Sequence, residues 1–258
     1  MAENRIPVAA VVGYTATGKT ELGIGLCQRL GGEVVSCDSM QVYRGLPIGT
    51  AQPTPEELAA APHHLIGFLD VNQPFSVSDY VEAAGKAIQG IRARGKFPVL
   101  VGGTGLYARS LLRGFSFEEN GRDEALRQKL FRQAEEQGVD ALYRRLQELD
   151  PKAAEEIHPH NVKRVVRALE YIQLCGEPFS QQAERSRTAQ SPYQYVMLCL
   201  TYRDREALYR RIDQRVDRML EQGLLEEARL FFNRCQGSER IPTAAQAIGY
   251  KELFPYFR

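Results

Sequence analysis

The stretch Gly13-Tyr14-Thr15-Ala16-Thr17-Gly18-Lys19-Thr20 fits the spacing G-x-x-x-x-G-K-[ST] and begins where the apolar run Val8 to Val12 ends. That run is short and valine-rich, as a buried parallel strand is, and Leu22, Leu26 and Leu30 then recur at four-residue spacing, as one face of a helix does. Strand, glycine loop and helix in this order make a cradle for a polyphosphate. Backbone amides at the helix start point into the anion, the helix dipole adds about half a positive charge, and Lys19 adds a whole one. Gly13, Tyr14, Thr15, Ala16, Thr17, Gly18, Lys19 and Thr20 are the expected lining. The Thr20 hydroxyl stands where it can ligate a magnesium ion that bridges phosphate oxygens, so Mg2+ is the expected cofactor and Thr20 its expected protein ligand. The motif is one of ATP-binding proteins, and by itself it leaves open whether phosphate is cleaved, transferred or expelled.

The rest of the chain places this unit in an α/β fold. Val34 to Ser36, Val99 to Val101 and Val196 to Leu200 are further short apolar runs, and Val77, Val81, Ala84, Ile88 and Ile91 repeat at helical spacing after the capping residue Ser76. Strands alternating with helices predict a parallel sheet of the P-loop nucleotide-binding type, flanked by helices. From 121 to 187 only helical patterns occur, carried by Leu126, Leu130, Leu142, Leu146, Val162, Val165, Val166 and Leu169. The expected organisation is therefore a core of 1–120 and 188–258 with an all-helical insertion, and polar Ser180 to Ser191 as the return linker.

Composition limits the function classes. The 258 residues are 43% hydrophobic and 25% charged with a net charge of +1, enough for one sizeable core or a core with a smaller appended domain. Residues 1–120 hold 10 basic and 11 acidic side chains and the remainder 23 and 21, so no global basic field announces nucleic acid. Local basic sites are Lys163, Arg164 and Arg167 on one helix, and 203–218, where six arginines alternate with four acids. Cys27, Cys37, Cys175, Cys199 and Cys235 form no C-x-x-C pair, which points to small core residues in a reducing compartment. No basic and apolar leader and no run of about 18 apolar residues occurs, so a cytoplasmic protein without membrane spans is expected.

Strand ends carry the next chemistry, because ligands of open α/β sheets lie beyond the carboxyl ends of the strands. Val34 to Ser36 leads into Cys37-Asp38-Ser39-Met40-Gln41, which places Asp38 near the loop's phosphate as a candidate general base, a turn cap, or a water-mediated metal partner. Val99 to Val101 leads into Gly102-Gly103-Thr104-Gly105-Leu106-Tyr107. Ala108 occupies the last position of G-x-G-x-x-G, which argues against a dinucleotide site while leaving a second backbone cradle. No aspartate follows this strand where P-loop hydrolases hold magnesium, and that weakens an ATPase reading. An apolar helical insertion is suited to exclude water, as a lid does in a transferase.

These residues, taken together, resemble the tRNA dimethylallyltransferases, or tRNA isopentenyltransferases, along nearly the whole chain. The resemblance rests on Asp38-Ser39-Met40-Gln41-Val42-Tyr43-Arg44-Gly45-Leu46 with Ile48-Gly49-Thr50-Ala51, and on Pro62-His63-His64-Leu65, Pro74-Phe75-Ser76-Val77, Val101 to Tyr107, Ile157-His158-Pro159 and Arg164-Val165-Val166-Arg167-Ala168-Leu169-Glu170, all in family order. It implies transfer of a dimethylallyl group from dimethylallyl diphosphate to N6 of adenine 37 in a tRNA anticodon loop, by a monomer. The P-loop then holds a leaving group, and ATP is not its expected ligand. Lys19, Thr20 with magnesium, and Arg215 would neutralise the departing diphosphate together with the cradle of Gly103 and Thr104, while Asp38 accepts the N6 proton. The resemblance assigns tRNA contacts to Asp38, Ser39, Met40, Gln41, Thr104, Lys163, Arg164, Val165, Val166, Arg167, Gln246, Gly249, Tyr250 and Lys251. Most arginines of 203–218 are then expected to stay ion-paired on the surface. His63 and His64 match the family; on the residues alone they read as structural residues flanking a helix.

Departures from the pattern leave the proposed catalytic groups in place. Tyr14 stands where the family usually has proline, Gly67 where aspartate is common, and His160-Asn161 where Asn-Asp is usual. Family members continue past the position of Arg258 with a basic, aromatic stretch that touches tRNA, so the resemblance carries the diphosphate site further than it carries tRNA affinity. Two rival readings are a P-loop small-molecule kinase, in which Asp38 activates a hydroxyl, and an RNA-binding protein of low activity. Adenylate isopentenyltransferases share the core and use a free nucleotide; the tRNA reading rests on the insertion's basic helix.

Overall fold

A computed structural model of the protein describes residues 5–115, 123–188, 190–236 and 242–258. Among them a five-stranded parallel sheet runs in the order β3-β2-β4-β1-β5. The strands are β1 (Ile6–Gly13), β2 (Gly32–Ser36), β3 (His63–His64), β4 (Phe97–Gly102) and β5 (Tyr193–Leu200). β1 pairs with β4 on one side and with β5 on the other, in registers such as Val11 to Val101 and Val11 to Leu198. The chain therefore leaves β1 toward one edge and returns to its opposite side, which opens a crevice at the carboxyl end of β1.

Helix α1 (Lys19–Leu30) packs on one face of the sheet, with Leu22 and Leu26 of the expected stripe half-buried against the core and Leu30 exposed. Gly23, Ile24 and Cys27 are buried deeper. Close approach explains this: a Cβ on Gly23 would lie 2.5 Å from a methyl of Val101, so the helix rests most closely on its small residues. The opposite face is covered by α3 (Val77–Ala93) and α4 (Gly105–Leu112). Ser76 caps α3 reciprocally with Asp79, as its sequence suggests, and Tyr80, Ala84, Ile88 and Ile91 are buried.

Contacts divide the chain into two compact units, 1–113 with 191–258, and 114–190. The boundary expected near residue 121 falls in a stretch outside the described residues. The second unit is helical where described, with α5 (Glu124–Gln137), α6 (Val139–Leu149), α7 (Pro151–Glu156), α8 (Val162–Cys175) and α9 (Phe179–Thr188) after the short α2 (Pro55–Ala60) of the first unit. Leu130, Leu142, Leu146, Val165, Val166 and Leu169 form its core. The polar linker expected over Ser180 to Ser191 is helical to Thr188, because the Asp150 carboxylate accepts the Ser180 amide and hydroxyl at the helix start.

Back in the first unit, α10 (Arg205–Glu221), α11 (Leu224–Cys235) and α12 (Tyr250–Phe257) follow β5. Leu224, Ala228, Phe231 and Tyr250 build a core with Val42, Tyr43 and Leu46 from the segment after β2. The run Val196 to Leu200, expected as a strand, lies in β5 at the sheet's edge, where Val196 is 67% exposed. His63 and His64 form a two-residue strand, and His64 Nε2 lies 2.7 Å from the Glu33 carboxylate. The cysteines divide: Cys27 and Cys37 are core residues, Cys175 and Cys235 are half-buried, and Cys199 is exposed on the edge strand.

Candidate active site

The glycine loop lies at the carboxyl end of β1, and Gly18 begins α1 with φ +82°. Its own side chains and β5's exit hold the loop. The Tyr14 carbonyl accepts from Thr17 Oγ1 at 2.7 Å and from Lys19 Nζ at 2.6 Å, while the Tyr202 hydroxyl donates to the Ala16 carbonyl at 3.2 Å. Ala16 is left-handed at φ +63°, a local strain that such tethers maintain.

Asp38 is positioned by the ends of β2 and β4. The Cys37 amide donates to the Val101 carbonyl, the Thr104 amide donates to the Cys37 carbonyl, and the Thr104 hydroxyl accepts from the Ser39 amide at 2.9 Å. A Cβ on Gly102 would sit 2.1 Å from the Cys37 carbonyl oxygen, so glycine is what permits this crossing. Asp38 Oδ1 accepts from the amides of Met40 at 2.9 Å and Gln41 at 3.4 Å, an Asx turn that fixes the carboxylate. Oδ2 has no hydrogen-bond partner among the described residues and lies on the Gly103 side.

One cavity of about 280 Å³ brings Lys19, Thr20, Asp38, Gly103 and Arg215 together. Arg211 and Arg218 line it too. Both fell within the stretch expected to be ion-paired surface. Their spacing of four and three residues around Arg215 on α10 is the legible signal, since it puts all three on one helix face. Arg211 stacks over Tyr202 at 5.8 Å, which aims it at the loop. Burial, and then the like charges of Arg215 on Lys19 and of Arg218 on Arg215, lower the pKa values of Lys19 and Arg215; Asp38 opposes this in both. Such a concentration of cations in a half-enclosed cavity favours a polyanion.

Magnesium is compatible with the donors present. Thr20 Oγ1 has no hydrogen bond among the described residues, and no group of three His, Cys, Asp or Glu able to hold a metal occurs among them. Thr20, with the Asp38 carboxylate in the same cavity, suits an ion that keeps waters and phosphate oxygens as its other ligands.

The residues assigned to tRNA separate by exposure. Lys163, Arg164, Gln246 and Lys251 are exposed. Val165 and Val166 are buried in the helical unit's core and Tyr250 in that of the first unit, so their side chains are spent on packing. Arg167 Nη1 pairs at 3.0 Å with the fully buried Glu170, which Arg127 also binds at 2.9 Å. Thr104 and Gln41 are engaged internally: Gln41 Oε1 accepts from Ser36 Oγ, and its Nε2 donates to the Ala51 carbonyl at 2.7 Å.

A family profile described as IPP transferase matches residues 41–258, and one described as isopentenyl transferase matches 6–66. The chain is 49% identical over 252 residues to the tRNA dimethylallyltransferase of Geobacillus kaustophilus, covering 97% of this chain and 78% of that protein. A solved full-length tRNA isopentenylpyrophosphate transferase from Bacillus halodurans is similar at 45% identity and a TM-score of 0.67, covering 97% of this chain and 77% of the other. A eukaryotic dimethylallyltransferase, solved acting on tRNA, aligns at 30% identity and a TM-score of 0.85 over 97% of this chain and 63% of its own. With a cationic cradle facing a fixed carboxylate and these matches along almost its whole length, the chain belongs to the IPP transferase family.

Proposed function

We propose that this chain transfers the dimethylallyl group of dimethylallyl diphosphate to N6 of adenine 37 in the anticodon loop of tRNA, releasing diphosphate. The observation that carries the reading is the single cavity in which Lys19, Arg211, Arg215 and Arg218 face the carboxylate of Asp38. A cation cluster binds the leaving group, and a carboxylate beside it serves the nucleophile. As the C1–O bond breaks, negative charge grows on diphosphate and the cations stabilise it. As N6 forms its bond to C1, its proton passes to Asp38. The exocyclic amine donates poorly while its lone pair is delocalised into the ring, so a fixed base has a purpose. Magnesium held by Thr20 would add charge neutralisation on the phosphate oxygens.

An adenine in a single-stranded loop is taken out of its stack at lower cost than one in a duplex. Exposed Lys163 and Arg164 at the start of α8 suit the RNA backbone, and Gln246 and Lys251 supply further polar contacts. The reading takes the chain to act as a monomer in the cytoplasm. No helix among the described residues is long and apolar enough to cross a membrane. The test incubates the protein with labelled dimethylallyl diphosphate and an anticodon stem-loop carrying adenine 37, in parallel with γ-labelled ATP. Label moving from the prenyl donor to RNA is expected; phosphate moving from ATP instead would overturn the reading.

A further inference from the structure

Behind the cavity wall lies the turn 46–52, in which Ala51 adopts φ +47°. It closes on itself through the Thr50 hydroxyl to the Leu46 carbonyl, the Ala51 amide to the Ile48 carbonyl and the Gln52 amide to the Pro47 carbonyl. Two helices tie it down from the far side. Glu227 on α11 accepts hydrogen bonds from the amides of Ile48 at 3.0 Å and Gly49 at 2.8 Å. The Tyr250 hydroxyl at the start of α12 donates to the same carboxylate at 2.5 Å. Gly49 makes this approach possible, because a Cβ there would lie 2.5 Å from the tyrosine ring and hydroxyl. Burial and the neighbouring carboxylate push the Tyr250 pKa up, so it remains a donor.

On its near side the turn reaches the reacting groups. Thr50 and Ala51 line the cavity with Asp38 and Arg215. The Ala51 carbonyl accepts from Gln41 Nε2, the Gln52 amide group donates to the carbonyls of Gln41 and Tyr43, and the Gln41 amide reaches Asp38 Oδ1. An unbroken run of hydrogen bonds thus links Tyr250 and Glu227 to the base.

We propose that Glu227 and Tyr250 are positioning residues: together they clamp the turn 46–52, and through Ala51 and Gln41 they fix the orientation of the Asp38 carboxylate. This rests on the prenyl-transfer reading. It assigns Tyr250 a role inside the protein in place of the RNA contact expected from the sequence. The clamp acts on the nucleophile's side of the cavity, whereas the donor's diphosphate is held by the glycine loop and α10, so the two sides separate experimentally.

The test uses the full chain with Tyr250→Phe, which keeps the ring, and Glu227→Gln, which keeps the size. Steady-state prenyl transfer, equilibrium binding of dimethylallyl diphosphate and amide hydrogen exchange at Ile48 and Gly49 are compared with wild type. Misplacement of a reacting group by a fraction of an ångström predicts that kcat falls about five-fold in Tyr250→Phe and ten-fold or more in Glu227→Gln, with donor affinity held within about two-fold. The double variant should be less than the product of the two, since both act through one carboxylate. Exchange at both amides should quicken. Unchanged kcat despite faster exchange overturns the proposal, as does a loss of donor affinity equal to the loss of kcat. A wild-type protein that prenylates no RNA overturns the functional reading instead, while the exchange data still judge the clamp.

Discussion

Lys19 Nζ donates a 2.6 Å hydrogen bond to the carbonyl oxygen of Tyr14, five residues back in its own loop. On the proposed reading, a phosphate oxygen replaces this carbonyl as the lysine's acceptor when the donor binds. Lys19→Met should cost about 10²-fold or more in prenyl transfer, by removal of one preorganised charge at the leaving group, while the thermal midpoint changes little. Steady-state kinetics beside a melting curve checks this.

The same lysine sets a pH dependence. Burial and the charge of Arg215 lower its pKa, so the cation is lost at a lower pH than in free lysine. A bound diphosphate favours the charged form, and binding on the alkaline side should therefore take up protons. Donor affinity should fall as pH rises through the lowered value. Calorimetry in two buffers of different ionisation enthalpy measures the uptake; identical enthalpies would contradict it.

Asp38 offers a cleaner separation of roles. Its Oδ1 closes the Asx turn, and asparagine can keep that oxygen in place. Asp38→Asn should lower turnover about 10²–10⁴-fold and leave diphosphate affinity near wild type. Loss of both together would make Asp38 a metal or structural group.

Within α8, neighbouring arginines should respond differently. Arg164 is exposed, whereas Arg167 pairs with Glu170. Arg164→Glu should weaken stem-loop binding about ten-fold and reduce its salt dependence by about one phosphate contact, with unchanged donor affinity and stability. Burial pushes the Glu170 pKa up, yet hydrogen bonds from Arg127, the Asp123 amide and Arg167 outweigh it and hold the carboxyl below its usual value. Glu170→Ala should therefore destabilise the helical unit by about 2–3 kcal/mol, read from denaturant unfolding, because it strands two half-buried cations.

The Glu33 carboxylate, bound by Arg94 at 2.6 Å and His64 at 2.7 Å, gives an acid-side signature. The hydrogen bond from Arg94 chiefly lowers its pKa, against burial, with His64 helping. Its contribution is complete above the usual glutamate range and is lost as pH falls through the lowered folded value. The wild type should lose thermal stability more steeply than Glu33→Gln between neutral pH and about pH 3. Parallel slopes would show that the clasp is not linked to folding.

Much of this protein was fixed locally. The glycine loop, the Ser76 cap, the valine-rich strands and Asp38 at the end of β2 follow from spacing and residue type, because each depends on neighbours within a few positions. The long motifs likewise carried the family. Tertiary contacts decided the rest. Which residues of α1 sit deepest depended on Val101 approaching Gly23, and β5 became an edge because it pairs only with β1. Arg211 and Arg218 joined the cavity through the placement of α10, and Tyr250 turned inward because Glu227, 23 residues earlier, offers its hydroxyl an acceptor. A sequence states which groups can meet a phosphate or a carboxylate. Whether they do is settled by packing between elements far apart in the chain, where the free energy of burial outweighs local preference.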